Sequence, residues 1–336
     1  MRVVKTKLLL IGLLTVFTVS VVQAQVPRGI AVTPRNFPNF TSADVDEAFE
    51  QAQTLGQQAV FIYQWSQLDL DVVRLMLAKA RQHNLIPILG LSPTSLGKGR
   101  KEIDAPSAVR VQAGTELSFA NPVVRRAYIK EARALAKLKP PYLCLATEIN
   151  LLGLQRLPEY LQFVTLYKEA YQAVKRVSPQ TKVFVSFQWE WVRILDAKDA
   201  GRLAEHSKLI DIFRPRLDLV AFTTYPSAFY AAPAQLPADY YTWMSHHLPP
   251  HEPVMFMEVG WPTAGNGSET EQRDFIARLP ELMKGINVIG LEWALLHDVQ
   301  VGAFDANLNS VGLRYRDDRP KPGYDRFRSV VLPGDE

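Results

Sequence analysis

The 336-residue sequence predicts an α/β fold, a single (β/α)8 barrel of the TIM type. Eight short apolar segments alternate with segments whose apolar residues recur at helical spacing. The strand segments are apolar throughout, as expected when both faces of a parallel sheet are covered. Alternation of strands and helices indicates parallel βαβ units. Eight such units within residues 25–336 fit a closed barrel better than an open sheet.

The first half of the chain supplies four predicted strands and three of the helices that follow them. The strands are predicted over residues 29–33, 59–63, 86–91 and 142–147, and the helices over 42–55, 69–83 and 122–139. Thr41 or Ser42 is a suitable N-cap for the first helix, and Gly56 a suitable stop. Pro122 occupies the favoured first position of the third helix.

A long polar segment, residues 92–120, separates the third strand from its helix and contains Gly97, Gly99 and Gly114. Loops of this length in a compact domain are usually functional or disordered. We expect this one to form a wall of the binding cleft.

The second half repeats the pattern. Strands are predicted over 182–187, 217–225, 254–257 and 288–293, and helices over 157–177, 203–214, 239–247, 269–284 and 323–331. Pro226 and Pro262 follow the sixth and seventh strands, and proline cannot donate to a central ladder. No break in composition interrupts the pattern, so residues 25–336 are predicted to form one catalytic domain.

Residues 1–24 are predicted to be a secretory signal peptide. Three positive charges precede the apolar segment 8–22, and a small-residue cleavage site ends at Ala24. An uncleaved membrane anchor is the alternative, but the apolar segment is short and Pro27 follows soon after. We therefore expect a secreted or periplasmic protein that has no membrane contact after cleavage.

Charge and cysteine content narrow the classes of partner. Three of the net +4 charges lie in the predicted signal, which leaves +1 for the mature chain. No basic run with interleaved aromatic residues suggests nucleic acid. The single cysteine, Cys144, cannot form an internal disulfide and lies in an apolar strand, so we expect a core residue, with a catalytic thiol as the alternative. We expect a monomer.

Two of the predicted strands run directly into a glutamate, Glu148 after the fourth and Glu258 after the seventh. The C-terminal strand ends of a parallel barrel form its active site. Retaining cleavage of a glycosidic bond needs two carboxyl groups about 5–5.5 Å apart, one a nucleophile and the other an acid and then a base. Apolar neighbours of Glu148 are expected to raise its pKa, while a donor such as Tyr225 keeps Glu258 ionised.

Other candidate substrate-binding residues follow the predicted strand ends and are aromatic, amide, hydroxyl or charged. They are Arg35, Trp65, Thr147, Asn150, Gln188, Trp189, Glu190, Tyr225, Trp261, Trp293 and Asp298. Aromatic faces stack on the apolar faces of sugar rings, and the polar groups bond to hydroxyls. Glu190 could alternatively be a rival catalytic carboxylate. Glu292, inside the eighth strand, is expected to form a structural salt bridge with the helical layer.

The sequence lacks a glycine-rich phosphate loop, a Ser-His-Asp spacing signature and a cluster of metal ligands among these positions. His246, His247 and His251 precede the seventh strand, on the face opposite the predicted site, so we do not expect them to bind a metal. No cofactor is implied, and the expected partner is a carbohydrate substrate.

The segment Glu258-Val-Gly-Trp-Pro262 resembles the nucleophile motif of glycoside hydrolase families 17 and 53. Glutamates at the ends of the fourth and seventh strands resemble clan A of these enzymes, whose closing segment is similar to Gly312-Leu-Arg and Asp318-Arg-Pro-Lys-Pro322. The resemblance implies a retaining (β/α)8 glycosidase that cleaves a β-linked polysaccharide or oligosaccharide. It implies that Glu148 is the acid/base, Glu258 the nucleophile, Tyr225 the nucleophile's partner and Trp293 the platform under the cleaved sugar.

One position departs from the clan. An asparagine usually precedes the acid/base and binds the 2-hydroxyl of the sugar, whereas Thr147 stands here. Family 113 mannanases, which this chain resembles in that respect, also depart there. A catalytically silent barrel that binds glycan is therefore a second hypothesis. A third, a metal-dependent deacetylase, requires a His/Asp ligand set at the strand ends, which the sequence does not present.

Overall fold

The computed structural model describes residues 26–198 and 208–332. The predicted signal peptide lies outside these ranges, as do residues 203–207 of one predicted helix. None of the helices in the two ranges combines the length and hydropathy that crossing a bilayer requires.

Nine parallel strands in the described part of the chain form the barrel. They are β1 (Arg28–Ala31), β2 (Gln58–Gln64), β3 (Ile86–Ser92), β4 (Tyr142–Cys144), β5 (Lys182–Phe184), β6 (Ser186–Gln188), β7 (Val220–Thr224), β8 (Val254–Val259) and β9 (Val288–Trp293). Their order is β5-β4-β3-β2-β1-β9-β8-β7-β6. β5 and β6 are successive halves of the predicted fifth strand, and pair with β4 and β7 respectively. The predicted (β/α)8 barrel is therefore confirmed.

Helices cover the outside of the barrel and most of its connections. They are α1 (Ser42–Leu55), α2 (Leu70–Gln82), α3 (Ser107–Ala113), α4 (Pro122–Ala136), α5 (Asn150–Gln155), α6 (Leu157–Val177), α7 (Trp189–Lys198), α8 (Glu269–Leu282), α9 (Ala306–Asn309) and α10 (Pro322–Ser329). Thr41 and Asp44 form a reciprocal capping box at the start of α1. Asn121 caps α4, with Pro122 at its first position. Local capping chemistry therefore located these helix starts correctly.

The differences from the predicted elements concentrate in the connections. The helix predicted over 239–247 is a 3-10 turn, Thr242–His246. The segment 92–120 contains a 3-10 turn at Leu96–Lys98 and helix α3. Helix α5 follows β4 after five residues, and α7 follows β6 directly. Neither was predicted, because their six and ten residues carry too little helical periodicity.

The core is almost entirely apolar, and Cys144 belongs to it. Its thiol is fully buried and donates to the Ala146 carbonyl at 3.1 Å. Burial raises the pKa of the Cys144 thiol to about 12. A thiol so protonated is a poor nucleophile, which favours the core role over the catalytic one.

Glu292 is a polar exception inside the barrel. An added Cβ on Gly290 would lie 3.2 Å from both Glu292 Oε1 and Gln58 Oε1. Side chains two apart on a strand share a face, so Glu292 points inward with position 290, and Trp293 points outward. Neither Glu292 oxygen has a hydrogen-bond partner among the described residues. The expected salt bridge with the helical layer is therefore wrong.

Candidate active site

The fold brings the two predicted catalytic carboxylates, Glu148 and Glu258, to the same region. Thr223 on β7 donates its hydroxyl to Glu148 Oε1 at 2.9 Å, and Thr223 is the register partner of Glu258 on β8. Neighbouring strands are only about 4.8 Å apart. The negative charge of Glu148 also raises the pKa of Glu258, which requires proximity.

Glu148 is held in an uncommon backbone conformation just beyond β4. Its φ of 53° lies in the left-handed region, which costs a residue with a Cβ roughly 1–2 kcal/mol. Two bonds to β6 support this turn: Glu148 N–H donates to Ser186 Oγ at 3.1 Å and Ile149 N–H to the Ser186 carbonyl at 3.1 Å. β4 itself ends at Cys144, three residues before the predicted end at Thr147.

Arg100 is a direct partner of Glu148 that sequence reasoning missed. Its Nε donates to Glu148 Oε2 at 3.1 Å, and its Nη1 donates to Ser92 Oγ at 2.9 Å and to the Thr94 carbonyl at 3.2 Å. Arg100 is only 3% exposed. It comes from the long segment 92–120 that was expected to form a wall of the cleft, and a basic residue in that segment was the only available signal.

Glu258 accepts a 2.6 Å hydrogen bond from the Tyr225 hydroxyl, the partner that the sequence predicted. Burial, together with the charge of Glu148, raises the pKa of Glu258 to about 7, while Tyr225 and Arg100 act in the opposite direction. The expectation that Glu258 stays ionised is therefore not met, because a pKa of about 7 leaves a substantial fraction of this carboxyl protonated near neutral pH.

Gly260 explains part of the Glu258-Val-Gly-Trp-Pro262 motif. A Cβ at this position would lie 2.6 Å from Tyr225 Cε1 and 2.7 Å from Cδ1. Atoms do not approach so closely without displacement, so only glycine allows the Tyr225 ring to pack against the strand end. The motif thus positions both Glu258 and the tyrosine that bonds to it.

Glu190 is fully buried. Its carboxylate accepts four hydrogen bonds: from Gln188 Nε2 at 2.6 Å, Thr224 Oγ1 at 2.6 Å, the Tyr225 backbone N–H at 3.1 Å and the Tyr240 hydroxyl at 2.9 Å. The prediction that Glu190 binds substrate, or rivals the catalytic pair, is corrected. Its acceptor capacity is used internally, and it fixes the backbone of Tyr225.

The amides of Asn150 and Gln188 are likewise occupied: the Gln188 side chain bonds to Glu190 and to the Trp191 N–H, and the Asn150 side chain bonds to the Gln188 backbone. Asn150 Nδ2 donates to the Gln188 carbonyl at 3.0 Å, and the Gln188 N–H donates to Asn150 Oδ1 at 2.8 Å. The two bonds join the segments that follow β4 and β6. Both side chains are buried, so they brace the rim of the site instead of presenting amides to a sugar.

The four tryptophans predicted to line the cleft are fully buried. They are Trp65, Trp189, Trp261 and Trp293. Trp293 donates its indole N–H to the Val311 carbonyl at 2.7 Å and packs against Phe327 of α10. The predicted platform role of Trp293 is therefore wrong, because the parity of β9 turns its ring to the helical layer.

Trp65, Trp189 and Trp261 also pack in the core. Trp65 meets Tyr128 edge to face with ring centroids 5.1 Å apart. Trp189 lies 5.2 Å from Phe222, and Trp261 lies 5.2 Å from Phe275. A position directly after a strand end was not sufficient to predict exposure to the cleft.

Three further predicted residues make no bond to the carboxylate pair among the described residues. Arg35 forms ion pairs with Asp44 and Glu47 of α1. Asp298 pairs with Lys321 Nζ at 2.6 Å. Thr147 is fully buried, and its hydroxyl has no hydrogen-bond partner among the described residues.

Within residues 26–198 and 208–332, no group of three or more His, Cys, Asp and Glu side chains is arranged to hold a metal ion.

Comparison with solved structures gives the same architecture. An exo-β-1,4-mannosidase from Opitutaceae bacterium strain TAV5 superposes with a TM-score of 0.69 and 15% identity over 90% of this chain, which spans only 58% of that protein. A GH5_18 protein from Streptomyces cattleya, in complex with Manβ1-4GlcNAc, gives 0.68 and 18% over 92% of this chain and 82% of its own. A family 39 glycoside hydrolase from Bacteroides cellulosilyticus WH2 gives 0.57 and 16% over 90% and 62%.

Sequence comparison adds nothing further: no family model matches the chain, and no curated protein is significantly similar to it. At 15–18% identity the structural likenesses establish the fold alone. None of these three proteins carries the name of family 17, 53 or 113, so that narrower resemblance stays a prediction. The chain has the (β/α)8 barrel fold found among glycoside hydrolases.

Proposed function

We propose that this protein is a retaining glycoside hydrolase that cleaves a β-linked polysaccharide or oligosaccharide. The observation that carries the proposal is the pair Glu148 and Glu258, which follow or end β4 and β8: Thr223 bonds to Glu148 and is the register partner of Glu258, and Tyr225 bonds to Glu258. The likeness to glycoside hydrolase barrels supports it. Since two of those proteins are named for, or bound to, β-mannosides, β-mannosides are the first substrates to test.

In the first step, the Glu258 carboxylate attacks the anomeric carbon, and the bond from that carbon to the leaving oxygen breaks. Glu148 gives its proton to that oxygen, and a covalent glycosyl ester forms on Glu258. In the second step, Glu148 takes a proton from water, whose oxygen attacks the anomeric carbon and releases Glu258 as a carboxylate. The Tyr225 hydroxyl orients Glu258 throughout.

The first step requires Glu258 in its charged form, and burial together with the negative charge of Glu148 raises the pKa of Glu258 to about 7. Tyr225 and Arg100 act in the opposite direction. Arg100 also donates to Glu148 Oε2 at 3.1 Å, and Glu148 is the carboxyl that must reach the leaving oxygen. A sugar must therefore compete with Arg100 for contact with Glu148.

The ion pair also favours the second hypothesis, a barrel that binds glycan without cleaving it. If Arg100 stays on Glu148 when sugar is bound, this carboxyl is not free to contact the leaving oxygen. Thr147, in the place of the usual asparagine, would then leave the sugar's 2-hydroxyl without its amide partner. The two hypotheses differ in turnover, not in binding.

The test is hydrolysis of β-mannan, β-galactan, β-1,3-glucan and β-1,4-glucan by the wild type, Glu148→Ala and Glu258→Ala. We expect activity on one glycan, lost by at least a thousandfold in both variants, and a first product of retained configuration by NMR. Unchanged activity in Glu258→Ala would refute the nucleophile assignment. Binding without turnover in the wild type would favour the silent barrel.

We also propose a secreted or periplasmic location, supported by the signal-like residues 1–24. Expression of the full chain in a bacterial host, followed by N-terminal sequencing of the exported protein, tests it. We expect the mature chain to begin at Gln25. Retention of the whole chain in the membrane fraction would indicate the uncleaved anchor instead.

A further inference from the structure

Two exposed aromatic side chains form a pair near the candidate active site. Trp191 and Phe229 are 40% and 42% exposed. Their ring centroids lie 5.9 Å apart with an interplanar angle of 86°. Single exposed apolar residues are normal on protein surfaces. A pair of large rings held edge to face is different, because it presents an apolar corner of fixed shape.

Trp191 is attached to the network that positions Tyr225. It follows Glu190, whose carboxylate accepts the Tyr225 backbone N–H at 3.1 Å. The Trp191 N–H donates to Gln188 Oε1 at 3.0 Å. This bond therefore holds the backbone of Trp191 in place, although its ring is exposed to solvent.

Phe229 contacts the Trp191 ring from the segment that follows β7. The 3-10 turn Pro226–Ala228 starts directly after Tyr225, and the Phe229 N–H closes it on the Pro226 carbonyl at 2.9 Å. Tyr225 is itself partly exposed and bonds to Glu258. The partly exposed Tyr225 thus connects the catalytic pair with the two exposed rings. It bonds to Glu258, and Phe229 follows it after one 3-10 turn.

We propose that Trp191 and Phe229 form a subsite for a pyranose ring of a β-linked glycan, beyond the sugar that is cleaved at Glu258. The identity of this ligand rests on the proposed function. A pyranose ring has one largely apolar C–H face that stacks on an aromatic face, while its hydroxyls stay in water. Trp191 supplies the larger face, and the Phe229 ring, nearly perpendicular to it, limits how the sugar can turn.

The subsite predicts that longer glycans bind more tightly through these two rings. Binding of β-1,4-mannose, β-galactose, β-1,3-glucose and β-1,4-glucose disaccharides and hexasaccharides is measured by calorimetry in a Glu258→Gln background, which prevents turnover. We expect Trp191→Ala and Phe229→Ala each to weaken the hexasaccharide about tenfold, equal to about 1.4 kcal/mol. The disaccharide should lose less. Trp191→Tyr, which keeps a ring, should retain most of the affinity.

Fluorescence gives a second readout. Trp191 is the exposed tryptophan of the six, since Trp243 is half-buried and the rest are buried. Hexasaccharide should change the emission of the parent protein but not of Trp191→Phe. Leu161→Ala is the control, because Leu161 is 48% exposed on the outer helix α6. Thermal unfolding of each variant checks that the fold is kept.

The outcomes separate this inference from the proposed function. Turnover by the wild type, with hexasaccharide affinity and KM unchanged in both ring variants, would overturn the subsite alone. Hexasaccharide binding that depends on both rings, without turnover by the wild type, would overturn the hydrolase proposal and support the subsite. Failure of every hexasaccharide to bind would overturn the subsite, and the rings would then be better explained as a protein contact.

Discussion

At the residue scale, the two glutamates differ in the partners that the chain gives them. Glu148 accepts from a guanidinium and a hydroxyl, whereas Glu258 accepts from the Tyr225 hydroxyl alone among the described residues. A charged donor stabilises a carboxylate more strongly than a neutral one. Burial and the negative charge of Glu148 raise the pKa of Glu258 against the effects of Tyr225 and Arg100, which leads to two predictions about pH.

Tyr225→Phe should move the acidic limb of kcat/KM upward. The Tyr225 hydrogen bond lowers the pKa of Glu258, which burial and the charge of Glu148 nevertheless raise to about 7. Without that bond the pKa rises further, so a larger fraction of the nucleophile is protonated below neutral pH. A bond to a charged group is worth roughly 1.5–3 kcal/mol, which corresponds to a shift of about one pH unit or more. The pH dependence of kcat/KM measures it.

Tyr171→Phe is the matched control, since Tyr171 also donates to a carboxylate, Asp218 Oδ1, at 2.8 Å. Tyr171 lies on the outer helix α6, so its loss should leave the pH profile unchanged. An unshifted acidic limb in Tyr225→Phe would mean that the limb does not report Glu258.

Arg100→Ala should shift the acidic limb of the pH profile to higher pH. The positive charge of Arg100 lowers the pKa of Glu258, so its removal makes the Glu258 proton harder to lose. Arg125→Ala removes another ion pair, with Glu169 Oε1 at 2.7 Å on the helical layer, and should leave the acidic limb in place. A change in rate without any shift in pH would instead assign Arg100 a purely structural role.

The two glutamates that the sequence predicted to lie together are defined by their position along a strand. Glu148 and Glu258 follow apolar runs, and the strand ends of a parallel barrel meet on one face. Arg100 and Thr223 could not be identified in this way. Arg100 reaches Glu148 from a segment whose path depends on tertiary packing, and Thr223 matters only through its register with Glu258.

At the scale of single elements, strand parity decides which groups face the barrel axis. Glu292 and Trp293 are adjacent on β9, yet one lies inside the barrel and the other packs against α10. A shift of one residue exchanges these faces. For a strand that is apolar on both faces, the sequence does not indicate which residues point toward the barrel axis. The predicted tryptophan platform was therefore wrong although the strand was correct.

Gly260→Ala should disturb the site only by displacing the Tyr225 ring or the loop that follows β8. The new Cβ would meet the Tyr225 ring at 2.6–2.7 Å, and either the ring or the loop must move. Overpacking of this kind costs about 1–3 kcal/mol, and the displaced Tyr225 should reproduce the upward pH shift of Tyr225→Phe. Chemical denaturation and the pH profile of kcat/KM together measure both effects.

Gly302→Ala is the control for this change, because a Cβ there has no neighbour within 4 Å. It should alter neither stability nor the pH profile. If Gly260→Ala behaves in the same way, the Tyr225 ring has room to move and the glycine is not needed for the site.

At the scale of the whole molecule, the barrel contains a carboxyl that the proposed chemistry does not use. Glu292 is fully buried without a hydrogen-bond partner in the described part of the chain, and burial raises its pKa well above 4.5. A buried charge without a partner is far more costly than a neutral acid. The folded barrel therefore keeps Glu292 protonated at pH values where the unfolded chain releases the proton.

The stability of the barrel should consequently fall as pH rises above about 4.5, and Glu292→Gln should remove this contribution. The unfolded chain binds fewer protons than the folded protein in this range, so the unfolding free energy decreases by up to about 1.4 kcal/mol per pH unit. Urea unfolding of both proteins from pH 5 to 8 measures this effect. The unfolding free energy of Glu292→Gln should increase relative to that of the wild type as the pH rises. Glu50→Gln, an exposed site on α1, should give a constant difference. A constant difference for Glu292→Gln as well would mean that the folded barrel holds this carboxylate charged, with a bound cation or water as its partner.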